Sequence, residues 1–274
     1  MTILVAGATG TVGRQLVKQL VQAEYMVRAL TRNPAKANFP AQVEVIEGDL
    51  TRPASWAAAL EGVVGLHLIN FGGDDYTPLQ TGAEIVEMAT KAGVKRVTVL
   101  RGGGEYGTLE NALTASSLDW TFLHPVEFMS NMLEWKESIR EAGMVKIPFV
   151  HRKTAIVHEA DIAAVAATAL CETGHGGKTY WITGGEVLTP VLMVQTISSV
   201  IGRDIRLVEL SEAQAREQWR EQGFPDEVIE FFVWAHGNTP PEGYTVAPTV
   251  QQLTGRPPRT FAQWAAEHAE VFRT

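Results

Sequence analysis

The sequence is poor in cysteine. Cys171 is the only one among 274 residues, so no internal disulfide can form and a reducing compartment is expected. It lies in an Ala-rich apolar stretch, where a free thiol behaves as a small core hydrophobe. No apolar run approaches the about 20 residues that cross a bilayer. The opening Met1-Thr2-Ile3-Leu4-Val5-Ala6 has no basic flank and no cleavage pattern, so no signal peptide is expected and a cytoplasmic location is. Basic residues are outnumbered 23 to 31 by acidic ones, the formal net charge is −8, and no basic run occurs. That balance argues against nucleic acid or a membrane surface as partner. There is no Gly-x-Ser-x-Gly elbow to support a hydrolase triad. His151 and His158 flank Arg152-Lys153 without metal-ligand spacing, so neither zinc nor iron is expected. Internal repeats and low-complexity segments are missing too.

What is present is the balance of a soluble globular enzyme: 45% apolar and 20% charged residues. A small-molecule substrate is expected as partner, and the chain as a monomer or homodimer. The first half alternates two periodicities. Strands are predicted over 2–6, 26–31, 43–46, 63–70, 96–100 and 120–124, with helices over 11–23, 53–60, 77–92 and 105–117 between them. Strand–helix alternation implies right-handed crossovers and an α/β, doubly wound parallel sheet. Further on, the patterns predict helices over 126–142, 160–171, 190–201, 211–222, 225–236 and 260–272. Short strands are expected within 145–158 and at 178–183, and a Pro/Gly-rich stretch at 237–248. The division expected is a nucleotide-binding domain over 1–184 and a smaller, mostly helical lobe over 185–274 that caps the carboxyl ends of the strands.

The strongest chemical signal is Gly7-Ala8-Thr9-Gly10-Thr11-Val12-Gly13. It follows a strand and opens a helix, the context in which glycines let a backbone approach a pyrophosphate at a helix start. Gly7 serves the tight turn, Gly10 the close approach and Gly13 the packing of helix on sheet. The second strand ends in Thr31 and Arg32, with Lys36 a turn later, where an NAD-preferring site places an acid on the ribose 2′-hydroxyl. A guanidinium there suits a 2′-phosphate instead, so NADP(H) is the expected cofactor. Asp49-Leu50, after the third strand, falls where the adenine belongs, although Asp49 can equally cap the following helix.

These segments together resemble the NmrA-like group of atypical short-chain dehydrogenase/reductases. The likeness rests on Gly7 to Gly13, Ala29 to Pro34, Gly48-Asp49-Leu50, Ser117 to Pro125, Phe128-Met129-Ser130-Asn131, Glu159 to Ala163 and Gly177 to Gly184. It implies a Rossmann-type domain with a smaller C-terminal lobe. The group includes NADPH-dependent reductases of quinones and dyes and also regulators that bind the cofactor without turnover. This sequence departs from the pattern in three places. The fifth strand ends Leu100-Arg101-Gly102-Gly103-Gly104 instead of in small polar residues. The usual Leu-Arg-Pro is Leu123-His124-Pro125. The Tyr-xxx-Lys pair of typical members is missing, and its nearest equivalent, Tyr106 with Glu110, has a carboxylate that cannot stabilise a tyrosinate.

In doubly wound sheets ligands bind at the carboxyl ends of the strands. That selects Asn70, Phe71, Gly72, Arg101, His124 and Pro125 for the cofactor beside Gly7, Thr9, Gly10, Thr11, Val12, Gly13, Thr31, Arg32, Lys36, Asp49 and Leu50. Arg101 and Tyr106 are candidate donors to an acceptor that gains negative charge, although Arg101 can instead close a salt bridge. His124 is a candidate proton relay or a ring packed on the nicotinamide. Glu127 is a candidate base or a helix-start carboxylate. Trp219, Phe224, Phe231, Phe232 and Trp234 either line an apolar pocket or form the core of the lobe. The expected activity is hydride transfer from NADP(H) to a quinone, ketone or imine. A cofactor-bound redox regulator and a non-redox cyclase or isomerase are the alternatives.

Overall fold

A computed structural model describes residues 1–73 and 77–273. In chain order the elements are β1 (Thr2–Val5), α1 (Thr11–Gln22), β2 (Met26–Thr31), β3 (Val43–Glu47), β4 (Val63–Ile69), β5 (Phe71–Gly72) and β6 (Thr77–Pro78). They continue with α2 (Gly82–Lys91), β7 (Arg96–Leu100), α3 (Thr108–Thr114), β8 (Asp119–Pro125), α4 (Lys136–Ala142), β9 (Met144–Ile147), α5 (Glu159–Cys171), β10 (Lys178–Ile182) and α6 (Pro190–Ile201). The last are β11 (Arg206–Glu209), α7 (Glu212–Glu221), α8 (Asp226–Gly237), α9 (Pro241–Tyr244), α10 (Thr249–Thr254), α11 (Phe261–Glu267) and α12 (Ala269–Arg273). Tight 3-10 turns occupy Pro34–Lys36, Pro53–Leu60 and Met129–Trp135.

Two compact units interleave along the chain. The first holds Met1–Pro125, Glu159–Ile182 and Thr249–Arg256; the second holds Val126–His158, Thr183–Pro248 and Pro257–Thr274. The units therefore do not follow the single cut expected at 184/185.

The first unit is built on a seven-stranded sheet in the order β10-β8-β7-β4-β1-β2-β3, parallel throughout. Its central strands β1, β4 and β7 are buried on both faces, which is why they read as near-continuous apolar runs and not as alternation, whereas the edge strands β3 and β10 are partly exposed. One face packs Leu30, Leu66, Leu68, Val97, Val99 and Phe122 against Trp56, Leu60, Ile85, Leu109 and Leu113. The other receives α1, through Leu16 and Leu20, and the Ala-rich α5, whose small side chains let it approach closely. Gln19 reaches from α1 to the Ala160 carbonyl at 2.8 Å.

The helix predicted over 77–92 starts later, at Gly82. Thr77-Pro78 pairs antiparallel with Phe71-Gly72, and the Thr81 hydroxyl donates to the Leu50 carbonyl. A Cβ on Gly82 would lie 2.1 Å from the Leu109 nitrogen, so glycine permits the contact between α2 and α3.

In the second unit β9 and β11 form a parallel pair, and Met129, Met132, Trp135, Ile139, Met193, Ile197, Phe261, Trp264 and Phe272 make the core. Three sequence expectations are corrected here. The stretch 126–142 becomes helical only at Met129, first as a 3-10 turn. The stretch 260–272 divides at His268, whose ring bonds the Trp264 carbonyl at 2.8 Å and so competes with the helical ladder. The aromatics of α7 and α8 are not core residues: Phe231 is 59% and Trp234 56% exposed, and only Ala215 and Ile229 on these helices are buried.

Candidate nucleotide site

Site construction begins at the turn from β1 to α1. Gly7 has φ +61°, a conformation that favours glycine, and a Cβ on Gly13 would lie 2.1 Å from the Gly7 carbonyl oxygen. The turn closes through Gly10 N–H donating to Gly7 O at 2.9 Å, and Arg14 Nε pins the Thr9 carbonyl at 2.6 Å. Gly10 is the N-cap of α1 and offers no side chain to the helix start. The amides of Thr11, Val12 and Gly13 are therefore first-turn donors with the helix dipole behind them, which is what an anionic pyrophosphate requires.

Next to it, β2 and β3 run in register, and Gly48 N–H donates to the Thr31 carbonyl at 3.0 Å. Thr31 is buried, and its hydroxyl accepts from Asn33 N–H at 3.2 Å, turning the chain outward so that Arg32 and Lys36 are exposed. Asp49 does not cap the next helical turn. Its carboxylate accepts from Thr51 N–H at 2.9 Å and the Thr51 hydroxyl at 2.8 Å, and its carbonyl accepts from Trp56 Nε1 at 3.1 Å. Burial works to raise the Asp49 pKa. The Thr51 bonds together with Arg52 and Arg32 prevail and hold it below the ordinary carboxylate value. Leu50 is buried in the sheet core.

At the ends of β4 and β7 the sequence places Asn70, Arg101, Tyr106 and Glu110, and the structure joins them. Glu110 is buried. Its Oε1 accepts from Arg101 Nε at 2.9 Å and from Asn70 Nδ2 at 2.9 Å; its Oε2 accepts from Gly107 N–H at 3.1 Å. Asn70 Oδ1 accepts from Gly102 N–H at 3.2 Å. A second Arg101 nitrogen donates to the carbonyls of Gly104 at 3.0 Å and Glu105 at 3.4 Å, and the guanidinium lies 4.7 Å from the centre of the Tyr106 ring. Tyr106 precedes α3, so Tyr106 and Glu110 are not one turn apart on a helix, as the sequence suggested. The side chains of Arg101 and Asn70 are spent on holding the 102–107 loop, whereas Tyr106 remains 45% exposed.

His124, at the end of β8, stacks on Trp181 of β10 with ring centres 4.1 Å apart. Its Nδ1 is buried without a partner among the described residues. Burial, and then the nearby Arg101 charge, push its pKa down, so the ring is neutral at pH 7. Pro125 follows, paired with Ile182. Phe71 and Gly72 form the short ribbon with β6.

In the second unit, Glu127 is held by Arg152 in a two-pronged ion pair, both bonds 2.7 Å. Burial opposes ionisation there, but the Arg152 charge and its hydrogen bonds win and keep the carboxyl below its usual range. A carboxylate so held precedes the helical turn that begins at Met129 and is a weakened base. His151 is exposed, and His158 bonds Glu267 at 3.2 Å. No cluster able to hold a metal ion occurs among the described residues. Among them, too, no helix is long and apolar enough to cross a membrane.

Comparison with known proteins agrees with this geometry. Residues 7–108 match the NAD(P)H-binding family, and the chain belongs to the NmrA-like, atypical short-chain dehydrogenase/reductase superfamily. It is 33% identical to the NAD(P)H azoreductase of Xenophilus azovorans, over 98% of this chain and 99% of the relative. It is 36% identical to the (4-alkanoyl-5-oxo-2,5-dihydrofuran-3-yl)methyl phosphate reductase of Streptomyces griseus, again over 98% and 99%. The structure of the NADPH-dependent quinone oxidoreductase QOR2 of Escherichia coli in complex with NADPH superposes with a TM-score of 0.80 at 25% identity, over 97% of this chain and 99% of that one.

Proposed function

We propose that this protein is an NADP(H)-dependent reductase that passes a hydride to a small apolar or aromatic acceptor of the quinone, ketone or imine type. The observation that carries the reading is the β1–α1 turn: a glycine at positive φ, no room for a Cβ at Gly13, and an uncapped helix start. This cradle fits a dinucleotide pyrophosphate, held by the amides of Thr11, Val12 and Gly13. Arg32 and Lys36 complement a 2′-phosphate, and Asp49 and Leu50 bound the adenine side. The relatives are consistent with this reading, two being named as reductases and the third as an NADPH-dependent oxidoreductase.

When bound, NADPH supplies the hydride. The chain's own contribution is position and charge. We assign the nucleotide to the first unit and give the Tyr106 hydroxyl the role of hydrogen-bond donor to the oxygen or nitrogen that gains charge. Arg101 acts through the ring it covers. Neutral His124, one face stacked on Trp181, offers its other face to the nicotinamide. Glu127 is left out of the proton chemistry because Arg152 bonds both of its oxygens and lowers its basicity.

Titration of protein fluorescence with NADPH and with NADH tests the cofactor. The wild type should prefer NADPH, and Arg32→Ala should lose about a factor of ten of that preference. Tyr106→Phe should lower kcat by about tenfold or more, with NADPH affinity unchanged. Binding without turnover of any quinone, azo or imine acceptor would favour a cofactor-bound regulator. Failure of both nucleotides to bind at millimolar concentration would remove the reading altogether.

A further inference from the structure

Arg52 stands outside every motif that the sequence singles out. It follows Asp49 by three residues and begins the Pro53–Leu60 turn, and its backbone is fixed: Arg52 N–H donates to Asp49 O at 2.9 Å, while Arg52 O accepts from Ser55 N–H at 2.9 Å and from the Ser55 hydroxyl at 2.7 Å. Its side chain is the opposite, 77% exposed, with one guanidinium nitrogen 3.8 Å from Asp49 Oδ2. That distance is too long for a hydrogen bond, and the Asp49 carboxylate already takes two bonds from Thr51. Among the described residues the guanidinium makes no hydrogen bond, so its donors are unspent.

Three other exposed or half-exposed arginines differ. Arg216 is bonded to Glu212 and Glu230, Arg220 to Asp226, and Arg273 to Glu270. Arg52 is also not alone, since the Asp49 carboxyl feels both Arg52 and Arg32. Two cations, Arg32 and Arg52, thus act on one carboxylate near the adjoining ends of β2 and β3, and Lys36 is exposed a turn beyond Arg32. Such an excess of fixed positive charge beside the ribose position is suited to a dianion and has no use for a neutral hydroxyl pair.

We infer that Arg52 is a second specificity-determining residue of this site, binding the adenosine 2′-phosphate together with Arg32. The inference rests on the nucleotide reading above. In it, Asp49 acts as a parking place: it orients the Arg52 guanidinium without consuming its donors, which are then available to a phosphate.

The experiment titrates wild type, Arg52→Ala and Arg52→Glu with NADPH, NADH, 2′,5′-ADP and 5′-AMP. The expected result is that Arg52→Ala weakens NADPH and 2′,5′-ADP by a common factor of about ten, leaves NADH and 5′-AMP unchanged, and flattens the salt dependence of NADPH binding. Arg52→Glu should bring NADPH affinity to or below that of NADH. Unchanged 2′,5′-ADP affinity, or equal weakening of all four ligands, overturns the inference, the second outcome marking a structural effect through the Asp49 turn. Wild-type protein that binds none of the four instead removes the nucleotide reading itself, so the two failures are distinguishable. Because the side chain is exposed, both variants should unfold at the wild-type temperature.

Discussion

Single residues here divide into those that hold and those that are free to act. Glu110 is the clearest holder, with a buried carboxylate that takes bonds from Arg101, Asn70 and Gly107. Glu110→Ala leaves the Arg101 charge buried and unpaired, and is expected to cost about 3–5 kcal/mol of stability, read by urea unfolding. Glu110→Gln keeps acceptor geometry at Oε1 and should cost less. The sequence showed that Arg101, Tyr106 and Glu110 were unusual, but it could not show that Arg101 would be spent on the loop. Ion pairing between a strand end and a helix nine residues later depends on where the helix begins. Gly107 starts it two residues after the predicted boundary, and that shift separates Tyr106 from Glu110. Arg52 was missed for a related reason: an arginine after Asp-Leu-Thr reads as solvated surface until its neighbours across β2 and β3 are known.

Elements were more legible than side chains. The seven strands of the sheet were all anticipated because each is a short apolar run bounded by turn residues, and helix α1 because Val12, Leu16 and Leu20 share a face. What escaped was short or non-local. β11 has only four residues and exists by pairing with β9, about sixty residues earlier. β5 and β6 depend on a two-residue match. The β1–α1 turn gives the sharpest test at this scale. Gly13→Ala adds a methyl 2.1 Å from the Gly7 carbonyl oxygen, so the helix must move off the strand. A loss of about 1–3 kcal/mol is expected, together with loss of NADPH binding by titration, whereas Gly102→Ala, which meets nothing within 4 Å, should leave stability unchanged.

For the molecule as a whole, acid should be the weak side. His67, in the middle of β4, is buried and bonded to the Thr98 hydroxyl at 2.8 Å, and burial lowers its pKa to about 4. In the second unit burial, with help from Arg152 and against Glu127, brings His236 to about 4 as well. Each is neutral when folded and takes up a proton more readily when unfolded, near pH 6.5. Their contribution is complete above about pH 6.5 and is lost as pH falls toward 4. For His67 the linkage amounts to about 3 kcal/mol. Unfolding temperature should fall on acidification from pH 7 to 5, and His67→Gln should flatten that slope.

The interleaving of the two units bears on how such a protein can be rebuilt. The chain passes between them at 125/126, 158/159, 182/183, 248/249 and 256/257. A fragment ending at 184 would contain Met129, Met132, Trp135 and Ile139 but lack Met193, Ile197, Phe261 and Trp264, against which they pack, and it is expected to aggregate. For the same reason a single genetic crossover between two relatives cannot trade one unit for another. Wherever the breakpoint falls, at least one unit inherits segments from both parents, so recombinants that survive should be those whose parents already share the residues at that unit's internal seams.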